Sequence, residues 1–287
     1  MVNWLLEPLT FEFMQRGLLV SVIVGIVCAL VGCYIVLRGM AFLGDALAHA
    51  VLPGLAVGYL ASAGDRSALF WWALGTAVLT SIGIGSVSRG VRIKQDTAIG
   101  IVFAGMFALG IVLISTVRNY AVDLTHFLFG NVLGITAGDL WLTAGVGIAV
   151  LLIIYVFYKE FLVLSFDPTL VTTLRLPVHV LEVLLSVLMA VAIVVSLQTV
   201  GVALVVALLV TPAAAAFIVT KNLRSMMLLS SLIAAISGVV GLYASFYLNI
   251  ASGAAIVLTC TLFFVLIWLW KLVFMRRQPM GEIMNTP

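Results

Sequence analysis

An acid and a histidine lie one helical turn apart in the segment MAFLGDALAHAVLPG, which runs from Met40 to Gly54. The segment is otherwise apolar, and because Asp45 and His49 are four residues apart, their side chains share one face of a helix. A carboxylate suits Mn²⁺, and an imidazole suits Zn²⁺, Fe²⁺ and Cu²⁺. The pair therefore has the chemistry of a site for a divalent first-row metal ion.

The residue types also allow other interpretations of this pair. Two ligands do not complete a coordination shell, although two copies of the chain meeting on a twofold axis would supply two aspartates and two histidines. An Asp45–His49 hydrogen bond that only helps to pack the helix is one alternative. A proton relay is another, because an imidazole takes up and releases protons near neutral pH.

The composition predicts that the pair lies inside a membrane. Of the 287 residues, 64% are hydrophobic and 9% are charged, whereas soluble domains carry about 25% charged residues. An ionisable side chain in a bilayer costs at least about 2.5 kcal/mol, so it needs a partner, water or an ion there. We therefore predict an all-α, multi-pass membrane protein that is surrounded by the lipid bilayer.

Nine apolar runs are long enough to span a bilayer, which takes about 20 residues. Only Gln198 and Thr199 interrupt the apolar sequence from Val178 to Val219, so eight spans with a re-entrant segment is the alternative to nine. We expect one transmembrane helical bundle over residues 1–287, with a membrane core at 16–275. The runs lie at roughly 17–37, 40–62, 68–87, 97–116, 138–158, 178–197, 200–219, 226–246 and 252–271.

The distribution of lysine and arginine predicts the orientation, because cytoplasmic loops are enriched in positive charge. With the N-terminus outside and the C-terminus in the cytoplasm, only Arg16, Arg66 and Arg118 of the 14 lysine and arginine residues lie outside. The sixth run then begins on the cytoplasmic side. Its Glu182 and His179 are expected to extend their side chains to the membrane interface.

The outer loop at 117–138 contains VDLTHFLFGNVLG, whose apolar residues follow helical spacing. We expect a short helix at the outer mouth of the bundle. Asp123 and His126 lie three residues apart there. They are candidates for receiving an ion, with ordinary solvated loop residues as the alternative.

The inner loop KEFLVLSFDPTLVTTLRLP, at 159–177, predicts a short amphipathic helix on the cytoplasmic face. Asp167 can cap a helix that has Pro168 at its first position, and Pro177 stops it. The helix either binds a partner or only links two spans.

Signatures of enzymes do not occur in the sequence. There is no G-x-x-x-x-G-K-[ST] phosphate loop, so this chain is not expected to hydrolyse a nucleotide. A serine nucleophile elbow and an H-E-x-x-H metalloprotease helix are also absent. We therefore expect a transporter rather than an enzyme, with no nucleic-acid partner.

The chain resembles the integral-membrane permease subunits of ABC importers for manganese, zinc and iron. The resemblance covers nearly the whole chain, and its most specific part is VLRGMAFLGDALAHAVLPG, from Val36 to Gly54. Further matching segments are IKQDTAIGIVFAGMFALGIVLIS from Ile93, VDLTHFLFGNVLG from Val122, FDPTLVTTLRLPV from Phe166 and VGVALVVALLVTPAAAA from Val200.

This resemblance implies a homodimer around a central pathway in the bacterial cytoplasmic (inner) membrane. It implies two cytoplasmic ABC ATPase subunits and an extracytoplasmic metal-binding protein as partners. Asp45 and His49 match the family's G-D-x-x-x-H pattern and would contact the metal in transit, with no permanently bound cofactor. The segment 159–177 would be a coupling segment that docks on the ATPase. Its coupling residues would be Asp167, Pro168, Thr169, Leu170, Leu174 and Arg175.

The transported ion is expected to be Mn²⁺, then Zn²⁺, with Fe²⁺ a further candidate. One carboxylate for each imidazole makes a harder site than a histidine-rich one, and the chain has only three histidines. The alternative function is a proton-coupled secondary metal transporter in which Asp45 and His49 relay protons.

Overall fold

The computed structural model describes residues 6–62, 66–91, 93–116, 134–166, 168–174 and 176–275. Within these ranges the regular elements are one 3-10 turn, Pro8–Thr10, and α-helices, with no strand. The predicted all-α bundle is therefore confirmed. The helices are α1 (Glu12–Leu37), α2 (Leu43–Ala50), α3 (Leu52–Ser62), α4 (Arg66–Val91), α5 (Gln95–Ser115), α6 (Ala137–Val156), α7 (Tyr158–Phe166), α8 (Pro168–Thr173), α9 (Val178–Val200), α10 (Val202–Val219), α11 (Leu223–Leu248) and α12 (Ser252–Met275).

Nine helical stretches in the described ranges are long and apolar enough to cross a membrane. The second of them, Leu43–Ser62, consists of α2 and α3 together, and each of the others is a single helix. Helices α7 and α8 have only 9 and 6 residues and are too short to cross. Length and composition thus favour nine spans over eight. The orientation of the termini stays a prediction.

A single glycine separates α9 from α10. Gly201 has a φ of +83° and a ψ of 167°, a backbone conformation that is essentially restricted to glycine. The long apolar sequence therefore forms two helices with no polar loop between them. Gln198 and Thr199, the only polar interruption that the sequence shows, both lie within α9.

The second span is interrupted between α2 and α3, directly after the histidine. Pro53, the second residue of α3, has no N–H to donate to the carbonyl group of His49. That carbonyl accepts instead from the N–H of Val51, which ends α2. His49 thus lies in the last turn of a short, separate helix of 8 residues.

Helix α1 contacts α6, α9, α10 and α11, and α2 packs against α4, α5, α9 and α10. A Cβ atom at Gly32 would overlap the backbone carbonyl of Leu209, so α1 and α10 touch backbone to backbone. Small residues allow such close approach between membrane helices. This packing fixes α2 in the bundle and decides which of its side chains face outward.

Candidate metal centre

Asp45 and His49 are the two residues of α2 that the bundle does not bury. Their side chains are 35% and 27% exposed, respectively. The helix therefore presents one polar face out of the chain and uses the rest of its surface for packing. The buried residues are Leu43, Gly44, Ala46, Leu47, Ala48 and Ala50.

The two side chains point at each other without a short hydrogen bond. His49 Nε2 lies 3.5 Å from Asp45 Oδ1, beyond the usual N–H···O range of about 2.7–3.2 Å. Two atoms that bind one metal ion at about 2.1 Å lie about 3.0–3.4 Å apart at octahedral or tetrahedral angles. The two atoms thus lie close enough to bind one ion together, and they form no short direct hydrogen bond.

The described residues of one chain supply only part of a coordination shell. In the part of the chain that the structure describes, no group of three or more histidine, cysteine, aspartate or glutamate residues could hold a metal ion. The predicted outer-mouth residues, Asp123 and His126, lie outside the described ranges. No further histidine, cysteine, aspartate or glutamate among the described residues adds a third ligand to Asp45 and His49.

Helix α3 is held tightly between two neighbours, and this positions the end of α2. A Cβ atom at Gly54 would lie 2.5 Å from the backbone oxygen of Trp72 on α4. On the other side, a Cβ atom at Gly110 of α5 would lie 2.7 Å from the Cβ atom of Leu52. Both glycines therefore provide space that any side chain would fill.

Three phenylalanines form an aromatic wall beside the imidazole. The His49 ring lies 5.6 Å from the ring of Phe107, edge to face, and 6.1 Å from the ring of Phe103. Phe103 and Phe107 stack at 5.7 Å on α5, and Phe42 meets Phe103 edge to face at 5.4 Å. The sequence analysis did not single out these residues. Their only local signal is the four-residue spacing of Phe103 and Phe107, which is common on apolar helices.

Helix α5 also has an apolar face that the described residues leave exposed. Its side chains Ile101, Leu109, Ile111 and Val112 are exposed, and only Ala98, Ile99 and Gly110 are buried. The same helix carries Phe103 and Phe107, which pack beside His49. An exposed apolar face of this kind is covered by lipid or by protein in a membrane.

Glu182 forms ion pairs with two arginines, which the sequence did not indicate, and its position at the membrane interface stays a prediction. Its Oε1 atom lies 3.3 Å from Arg38 Nη2, and its Oε2 atom lies 3.0 Å from Arg89 Nη1. Burial lowers the pKa of the Arg38 guanidinium, while the charge of Glu182 and its hydrogen bond act in the opposite direction. Arg38 Nη2 also lies 3.5 Å from Gln95 Oε1 at the start of α5. The carboxylate thus joins the ends of α1 and α4 to α9, and Arg38 extends the network to α5.

The predicted coupling segment contains α7 and α8. Leu170 and Leu174 are exposed, and the N–H of Leu174 donates to the carbonyl of Leu170 at 3.0 Å. Phe166, which the sequence analysis did not choose, is exposed too, whereas Val171 is buried against the bundle. Pro168 and Thr169 form the first turn of α8. Asp167 and Arg175 lie outside the described residues.

The comparisons with known proteins agree on one family. The model of the ABC 3 transport family matches residues 10–271. The manganese transport system membrane protein MntC of Halalkalibacterium halodurans is 45% identical over 91% of this chain and 88% of that protein. The chelated iron transport system membrane protein YfeD of Yersinia pestis is 37% identical over 98% of this chain and 92% of that protein.

A solved structure shares the fold and much of the sequence. In PsaBC from Streptococcus pneumoniae in complex with Fab, one chain superposes with a TM-score of 0.80 and 40% sequence identity. The superposition covers 93% of this chain and 95% of that one. The family match extends over the helices that carry Asp45, His49 and the coupling segment.

Proposed function

The chain belongs to the ABC 3 transport family, and on this basis we propose that it is the membrane permease of an ATP-driven importer that carries Mn²⁺ into the bacterial cytoplasm. The observation that carries the proposal is the Asp45–His49 face of α2. Its Nε2–Oδ1 separation of 3.5 Å suits a shared ion, and it is the only polar part of a helix that is otherwise buried.

A second copy of the chain completes the site in this proposal. Each copy supplies one carboxylate and one imidazole, so a twofold axis beside α2 gives two of each. The exposed apolar face of α5, the helix that also packs Phe103 and Phe107 beside His49, supports this arrangement, because the partner would cover it. A four-ligand site built from two subunits opens when the subunits separate, which lets the ion leave.

The energy comes from a cytoplasmic ATPase subunit that docks on the coupling segment. The exposed Leu170 and Leu174 offer it an apolar surface on a helix that Val171 anchors to the bundle. An extracytoplasmic metal-binding protein delivers the ion to the opposite face. Family membership favours this ATP-driven mechanism over the proton-coupled alternative.

Manganese is the proposed ion because the site pairs each imidazole with a hard carboxylate oxygen, the ligand type that suits Mn²⁺. MntC, named for manganese transport, is 45% identical to this chain. YfeD, named for chelated iron transport, is 37% identical. We therefore keep Fe²⁺ and Zn²⁺ as competitors to be measured beside Mn²⁺.

The decisive experiment is uptake of radioactive Mn²⁺ by proteoliposomes that contain the chain, its ATPase and the binding protein. Asp45→Ala and His49→Ala should each abolish ATP-dependent uptake. Asp96→Ala and His179→Ala are matched controls, since Asp96 is exposed in the first turn of α5 and His179 is exposed in the first turn of α9. Full uptake by both site variants would remove the pair from the mechanism. Uptake that needs a proton gradient and no ATP would refute the importer.

A further inference from the structure

We infer that Phe107, supported by Phe103, positions the imidazole of His49 for metal binding through ring packing. The inference rests on the proposed function, because it assigns a role at the same site. It makes Phe107 a positioning residue, which acts on the ion through His49 and does not touch the ion itself.

The contacts of the imidazole carry the first step. Phe107 meets the ring of His49 edge to face, with 5.6 Å between centroids and an interplanar angle of 78°. Phe103 approaches the same ring at 6.1 Å and 58°. Such ring pairs have preferred geometries and so restrict the rotation of each partner. The imidazole is therefore confined by α5, a helix that does not carry it.

The nitrogen atoms of the ring carry the second step. His49 Nδ1 is buried and has no hydrogen-bond partner among the described residues. A metal-binding histidine usually donates its second ring nitrogen to a carboxylate, a carbonyl or water, and that bond fixes the orientation of the ring. Ring packing by Phe107 and Phe103 takes over this task here.

Third, the phenylalanines of the aromatic wall also pack on one another. Phe103 stacks on Phe107 at 5.7 Å, and Phe42, in the connection before α2, closes on Phe103 at 5.4 Å. Both ends of α2 are thereby tied to α5, since Phe42 precedes the helix and His49 lies in its last turn. The ring is thus held in place by packing against α5 at both ends of the helix that carries it.

The test measures Mn²⁺ binding to the full chain in lipid nanodiscs, with Mn²⁺ alone as the probe. Pulsed electron paramagnetic resonance detects an imidazole nitrogen bound directly to Mn²⁺. The variants are Phe107→Leu and Phe103→Leu, which keep an apolar side chain, and Phe107→Tyr, which keeps the ring. Phe246→Leu is the matched control, because Phe246 is a partly buried residue that packs on Phe11, at 5.9 Å, in another part of the bundle.

We expect Phe107→Leu to weaken Mn²⁺ binding about three- to tenfold, the range given by one aromatic pair. The nitrogen signal should weaken with it, and transport should show a higher KM at a nearly unchanged maximal rate. Phe103→Leu should have a smaller effect in the same direction. Phe107→Tyr and Phe246→Leu should behave like the wild type, and all variants should elute as the wild type does in size-exclusion chromatography.

Two outcomes separate this inference from the proposed function. If the nitrogen signal depends on His49 but Phe107→Leu leaves the affinity and the signal unchanged, the positioning role is overturned and the metal site stands. The proposed metal site itself fails if the wild type gives no nitrogen signal, or if its signal persists in His49→Ala. The inference then fails with it.

Discussion

Arg38 and Glu182 connect the segment in front of the candidate metal centre to the helix that follows the coupling segment. Arg38 precedes α2 by five residues, and Glu182 is the fifth residue of α9. The Arg38 side chain is only 10% exposed, and its Nη2 atom lies 3.3 Å from Glu182 Oε1. Such a buried cation depends on its partner, because an unpaired buried charge is costly.

Glu182→Ala should therefore lower the free energy of unfolding by about 1 to 3 kcal/mol, since it leaves Arg38 buried without a charge partner. Thermal unfolding in nanodiscs measures the change. Glu12→Ala is the control. It breaks the pair with Arg16, in which the glutamate side chain is 77% exposed, and such surface pairs contribute little. Equal losses of unfolding free energy in the two variants would contradict the conclusion that Arg38 depends on Glu182.

Gly54→Ala should destabilise the bundle by about 1 to 3 kcal/mol, because the new methyl group overpacks the contact between α3 and α4. The added Cβ atom would lie 2.5 Å from the backbone oxygen of Trp72. Gly100→Ala is the matched control, since a Cβ atom there meets nothing within 4 Å. That control should be neutral or slightly stabilising, because alanine is the better helix former.

Asp45→His should shift the preference of the transporter from Mn²⁺ towards Zn²⁺ by about tenfold or more, because imidazole replaces a hard oxygen ligand. His49→Asp should shift it in the opposite direction. Competition between the two ions in the uptake assay gives both ratios. If a variant loses all transport, its relative affinity for the two ions is measured by metal binding in nanodiscs. An unchanged Mn²⁺-to-Zn²⁺ preference in both variants would contradict a direct role of the pair in selectivity.

Leu174→Asp should reduce co-purification of the ATPase subunit severalfold, because it puts a charge on the apolar docking surface. Leu174→Ala should have a smaller effect. Lys221→Asp is the control, since Lys221 is exposed in the connection between α10 and α11, on the same predicted side of the membrane. Normal ATPase binding by Leu174→Asp would place the docking surface elsewhere.

The predicted orientation is tested by labelling single introduced cysteines in intact cells with a membrane-impermeant maleimide. Arg16→Cys should react, and Lys221→Cys should react only after the membrane is opened. The native cysteines give little background, because Cys28, Cys33 and Cys260 are all buried. The reverse labelling pattern would show that the bundle has the opposite orientation in the membrane.

Features that depend on neighbouring residues in the chain could be predicted from the sequence. Spans follow from local length and hydropathy, and the pairing of Asp45 with His49 follows from the pitch of one helix. The metal-binding role itself stays a prediction. The sequence indicated the break at Gly201 only through an apolar run that is too long for one span. The presence of a glycine does not determine which backbone conformation it adopts.

Contacts between distant helices could not be predicted in this way. Arg38 and Glu182 are 144 residues apart in the chain, and no local pattern marks one as the partner of the other. Phe107 looks like any apolar residue of a span until the packing of α2 on α5 brings it to His49. The residues that pack around the pair were therefore missed, whereas the proximity of Asp45 and His49 was predicted.

The proposed sharing of metal ligands between two copies of α2 has a genetic consequence. If an intact ion site needs the ligands of both subunits, a mutant subunit inactivates every dimer that contains it. A cell making equal amounts of normal and Asp45→Ala protein would then assemble only about one fully normal pair in four. The damaged gene would be dominant over its normal counterpart, although it encodes a stable protein.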